Sequence, residues 1–189
     1  MLEVGRLRYG YVIPEEDASI LRSMLKNRRI SALLTPSASI YSEFVIAPHF
    51  SVQLERDSYI VFENLGSSTP SHGIEYSEIN INQSHIPKEI AVGRTPSGDT
   101  YHKRPLSLIY LFYNHKITEE IVSITIHDFT DGDVGEDVHC DVALVFWLDS
   151  GRRFAISAQT HGFRHLEYTC KEERIKELLD TYPCRQVIA

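Results

Sequence analysis

The stretch from Ser123 to Ser157, SITIHDFTDGDVGEDVHCDVALVFWLDSGRRFAIS, constrains this chain more than any other. Val142 to Leu148 form an unbroken apolar run too short for a typical helix and rich in branched and aromatic residues. Such a run suits a strand covered on both faces. Asp149-Ser150-Gly151 supplies turn chemistry, and Gly151 can take a positive φ. Phe154 and Ile156 then resume a period-2 alternation. The prediction is a hairpin at the centre of a sheet, fed by an acidic loop.

That loop carries the charge imbalance of the whole chain. Asp128, Asp131, Asp133, Glu136, Asp137 and Asp141 occur with no Lys or Arg among them. Without them, 20 acids face 19 bases, so the net charge of −7 is a local feature. An acidic balance argues against nucleic acid as a partner, because phosphate contacts need clustered Lys and Arg.

At 189 residues the chain is expected to fold as one domain, burying about 70% of its unfolded surface. The ten Tyr and eight Phe, with abundant Val and Ile, favour β structure. The first ten residues carry charges where a signal peptide needs an apolar core. No apolar run approaches the ~18 residues of a membrane span. Cys140, Cys170 and Cys184 are an odd number without CxxC spacing, which fits reduced thiols and a cytoplasmic protein.

In chain order, residues 6 to 13 alternate as a first strand. Pro14 and the acids Glu15, Glu16 and Asp17 open a helix over about 15–27, with Ile20, Leu21, Met24 and Leu25 as its apolar stripe. Strands separated by short turns follow from Ile30 to Asn64, and another from Ile74 to Ile81. Residues 82–105 read as a long irregular loop, mildly basic, of the kind that is functional or disordered. Leu106 to Tyr113 and Lys116 to His127 are apolar strands, and Phe163 to Thr169 a short one. An amphipathic helix over 171–181 is stopped by Pro183, and Arg185 to Ile188 closes the sheet at an edge. The expected fold class is α+β, mainly antiparallel β as a curved sheet or sandwich, with two helices.

Few motifs carry chemistry. The acidic loop fails the EF-hand template: counting from Asp131, Gly135 stands fifth, Glu136 sixth and Val142 twelfth. An irregular Ca²⁺ or Mg²⁺ site, a solvated self-repelling loop and an acidic docking surface for a basic partner all remain open. His161-Gly162-Phe163-Arg164-His165 pairs two histidines at i, i+4, but Gly162 stands where HExxH needs its Glu. No GxSxG elbow, Walker loop or GxGxxG cradle is present, so no cofactor is expected.

The run DVALVFWLDSGRRFAISAQ, followed by HLEYT, KEERIKELLDTY and RQVI, resembles small uncharacterised bacterial proteins. Some of those lie beside toxin genes and act as immunity or accessory proteins. The resemblance implies a cytoplasmic bacterial protein that binds another macromolecule, and it implies no catalytic residue. The functional expectation is therefore a non-catalytic protein-binding module. It would meet a basic partner through Asp128, Asp131, Asp133, Glu136 and Asp137, with no membrane or nucleic acid involved. The rival expectations are a divalent-metal hydrolase using the same acids with His127 or His139, and a structural module without a ligand.

Overall fold

The computed structural model describes residues 7–25, 30–55, 57–103, 106–107, 119–133, 136–158 and 164–189. The fold is α+β, made mostly of antiparallel strands in open sheets, with two helices among the described residues.

The larger sheet is organised around two long strands, β13 (Ile121–Asp133) and β14 (Glu136–Leu148). Outward from β14 it continues through β15 (Arg153–Ala158), β16 (Leu166–Thr169), β4 (Val45–Ala47) and β3 (Ser39–Ile40). On the other side β13 pairs with β17 (Cys184–Ile188), the edge strand expected from the C-terminal sequence. β15 covers only the second half of β14, from Ala143 to Trp147. Over the first half β1 (Leu7–Tyr9) pairs in parallel, Leu7 opposite Glu136 and Tyr9 opposite Val138.

The smaller sheet runs β12 (Leu106–Ser107), β2 (Ala32–Thr35), β5 (His49–Glu55), β6 (Ser58–Asn64), β9 (Ile79–Ser84). Its inner face, with Phe50, Val52, Ile60 and Phe62, shares one core with Ile124, Ile126, Leu144, Phe146 and Ile156 of the larger sheet. Aromatic rings link the two layers. Phe62 meets Phe146 edge-on at 5.9 Å, Phe146 stacks on Phe154 at 4.5 Å, and Tyr168 lies between Phe154 and Phe50 at 5.7 and 6.0 Å. Such pairs add about 0.5–1.5 kcal/mol each beyond the area they bury.

The helices cap this sandwich. α1 (Glu15–Arg22) is shorter than its apolar stripe predicts. Ser23 turns its hydroxyl back to Ile20 O at 2.6 Å, and the Leu25 backbone bridges to Ile121 instead of continuing the helix. Residues 26–27 of the expected helix lie outside the described residues. α2 (Glu172–Thr181) matches its sequence signal and seats Ile175 and Leu178 on Val145 and Ala155, the outer face of the larger sheet.

Two loops of the sequence reading are corrected. The acidic stretch is ladder on both sides of its tip, because β13 and β14 pair down to Asp133 opposite Glu136. The excursion at 82–105 holds the end of β9 and a hairpin of β10 (Ile90–Arg94) and β11 (Thr100–Lys103). Its turn is closed by Thr95 N–H to Asp99 O at 2.8 Å, with Gly98 at φ +91°. The apolar stretch 108–113 and the histidine motif's 161–163 lie outside the described residues.

Candidate functional site

A strand sends successive side chains to opposite faces. Once the acidic stretch is strand, its carboxylates no longer form one cluster. Thr130 stands opposite His139 and Gly132 opposite Asp137, placing Asp128, Thr130, Asp137 and His139 on one face. Arg8 of β1 joins them, directly opposite Asp137. The other face carries Phe129, Val138 and Cys140, which pack with Tyr9, Ile74 and Tyr76.

Two of the six acids are fully engaged in structure. Asp141 is wholly buried and accepts hydrogen bonds from Nε and Nη2 of Arg185, at 2.7 and 2.6 Å, and from the Ile13 N–H at 2.7 Å. Glu136 is 3% exposed and accepts the N–H groups of Ser71 and His72, both at 3.2 Å. Burial alone would push its carboxyl up. The hydrogen bonds from Thr69, Ser71 and His72 outweigh it and hold Glu136 below the usual carboxylate range. Glu136, expected as a binding residue, is therefore a brace for the 69–74 turn.

The remaining acids lie at or near the open end of the hairpin. Asp131 is exposed, and Asp133 ends the ladder. Asp128 accepts a hydrogen bond from His139 Nε2 at 2.8 Å, with the imidazole nearer the solvent. Asp137 lies across from Gly132 on the partner strand: a Cβ on Gly132 would come within 2.7 Å of its Oδ1, so a larger residue there would push the Asp137 carboxylate aside. Arg8, Thr130, Asp131, Asp137 and His139 line a shallow concavity of about 600 Å³.

This arrangement does not assemble a metal centre. His127 is buried, with Nδ1 against Tyr182 O and Nε2 against Thr125 Oγ1, both at 3.0 Å, so neither nitrogen is available to an ion. His139 has one nitrogen committed to Asp128. Among the described residues no three His, Cys, Asp or Glu side chains converge on a point. The thiols offer no nucleophile at this end either. Burial, reinforced by Glu78 and Asp141, pushes Cys140 up to about 12, and its Sγ–H donates to Ser77 O.

Sequence reasoning missed Arg8 and Gly132. The parallel pairing of β1 brings Arg8 to the acids from 129 positions away in the chain. Gly132 carried a local signal, a glycine inside an acidic run, which reads as a turn until the strand is known.

No protein-family model matches the chain, and no curated protein or solved structure matches it. Among the described residues no helix is long and apolar enough to cross a membrane.

Proposed function

We propose that the protein is a non-catalytic binding module, of the immunity or accessory kind, that meets a basic protein partner at the open end of β13–β14. The observation that carries this reading is the division of labour among the acids. Asp141 and Glu136 are consumed by the fold, while Asp131 stays exposed at the hairpin tip and, with Asp137, lines an open concavity of about 600 Å³. A lysine or arginine of the partner would approach the exposed tip beside Asp131, with Arg8 and His139 at the concavity setting which acidic or polar groups can follow it. Long-range attraction from the charged tip would speed encounter, and the apolar rim residue Leu7, 60% exposed, would supply part of the contact energy. The absence of any disulfide among Cys140, Cys170 and Cys184 is in keeping with a reducing, cytoplasmic setting.

The test is co-precipitation from lysate of the source organism at low and at high salt, using the native chain and an Asp131→Asn/Asp137→Asn variant. Both substitutions keep side-chain volume and leave the braces at Glu136 and Asp141 untouched. The expected outcome is a defined basic protein retained at low salt, released as salt rises, and lost with the double variant. Retention indifferent to salt and to both substitutions would overturn the reading, since screening and charge removal must each weaken a surface ion-pair contact.

A further inference from the structure

Residues 86–89, with His102 beside them, lie against the outer face of the smaller sheet, and one residue of that strap is held at three points. Lys88 N–H donates to Ser51 Oγ at 3.0 Å, Lys88 O accepts from His49 Nε2 at 2.8 Å, and its ammonium pairs with Glu63. His49 and Ser51 alternate outward from β5 while Phe50 and Val52 point into the core, so the strap is fastened to a face that the core does not use. Between strap and sheet lies a cleft of about 570 Å³, lined by Val61, Glu63, Asn82, Lys88, Glu89 and His102.

We propose that His49 is a proton-operated latch: neutral, it fastens residues 86–89 over the outer face of the smaller sheet, and on taking up a proton it releases them. A carbonyl oxygen can only accept, so Nε2 carries the hydrogen and Nδ1 is left as the site for the second proton. His49 is 4% exposed, so the charged ring would be nearly cut off from water. The groups facing it decide whether that charge is tolerated. The Lys88 ammonium on the strap opposes it. Glu63, directly across on β6, would favour it but is already paired to Lys88. Farther round the cleft, Glu89 faces His102 at 3.9 Å and the two form a second, exposed contact of the strap with itself.

The energetics have a definite sign. Burial, with the Lys88 charge behind it, holds His49 below its ordinary value of 6.5, against a smaller opposing pull from the bond to Lys88 O and from Glu63. The fastened form is thus fully favoured above that value. It loses ground as pH falls, because the released ring binds a proton more readily. A single proton sets a ceiling of about tenfold in the fastened-to-released ratio per pH unit.

Amide hydrogen exchange on the full chain tests this, with each rate expressed relative to the intrinsic rate at its pH. From pH 7.5 to 5 the protection of the Lys88 amide should fall several-fold while the Phe50 and Phe62 amides, in the β5–β6 ladder, keep theirs. In His49→Gln, which keeps an N–H donor without a titratable ring, Lys88 protection should not vary with pH. Constant protection in the native chain, an equal fall in His49→Gln, or a matching loss at Phe50 and Phe62 would each overturn the latch. Should His49→Gln not fold, the ring ¹⁵N shifts of the native chain decide. An Nε2–H tautomer at pH 7.5, protonating in step with the loss at Lys88, supports the latch; an Nδ1–H tautomer, or protonation without that loss, removes it.

Discussion

Asp141 shows how a single residue can be misread when its partner is distant in sequence. It closes the acidic run, yet it is wholly buried and clamped by Arg185 from the chain's last strand. Removing one member of such a pair leaves an uncompensated buried charge, at a cost of about 3–5 kcal/mol. Arg185→Met should therefore lower the urea midpoint sharply. Asp141→Asn combined with Arg185→Met should recover part of the loss, since the orphaned charge is gone. A single variant as stable as the native chain would show that water, not Arg185, compensates Asp141. What was legible at this scale was the turn glycine at 151 (φ +81°) and the buried apolar run of β14. Which acid serves the fold and which faces solvent depends on Arg185, Ser71 and His72, and no local pattern announces those contacts.

At the scale of elements, the strands that were legible are those whose burial follows their own pattern. Val142 to Leu148 are buried throughout except Trp147, which is partly covered by α2 and by the Arg153 guanidinium 4.8 Å above its ring. The edge strand β17 and the helix α2 were equally plain. The acidic half of the hairpin was not, because Asp is depleted in strands and six acids read naturally as loop. Tertiary partners override that preference. β1 pairs along β14, and the 69–74 turn docks on Glu136, so the ladder persists where composition would end it. The same holds for 82–105, where Gly98 closes a hairpin that the mixed polar sequence conceals. A pH dependence follows for this element. Glu136 sits below its ordinary value of 4.5, so its contribution to stability is complete above that value and is lost as pH falls toward the folded one. Glu136→Gln should flatten the acid limb of the stability profile, read as the thermal midpoint between pH 6 and 3. An unchanged acid limb would mean that the brace does not depend on charge.

The whole molecule is a sandwich whose excess negative charge is carried in one hairpin, and the arrangement of that charge separates the binding reading from its metal-dependent rival. Ca²⁺ needs six to eight oxygens converging at 2.3–2.6 Å, and Mg²⁺ demands a near-ideal octahedron. Here the strand alternation sends Asp128 and Asp137 to one face and Val138 and Cys140 to the other, while Glu136 and Asp141 are already saturated by N–H donors. Drawing three carboxylates together would require breaking the β13–β14 register, and with it the pairing of β1 and β17. An ion present at 100-fold its dissociation constant adds about 2.7 kcal/mol to a fold it binds. For a chain of this size that raises the thermal midpoint by roughly 5–10 °C. Melts in EDTA and then in Ca²⁺, Mg²⁺, Mn²⁺ or Zn²⁺ should coincide within about 2 °C, well inside that shift. A rise of the full size, abolished by Asp131→Asn, would restore the hydrolase, because it would show that the hairpin tip rearranges around an ion. Coincident melts leave the hairpin tip, with Asp131 exposed on it, as an acidic surface for a partner.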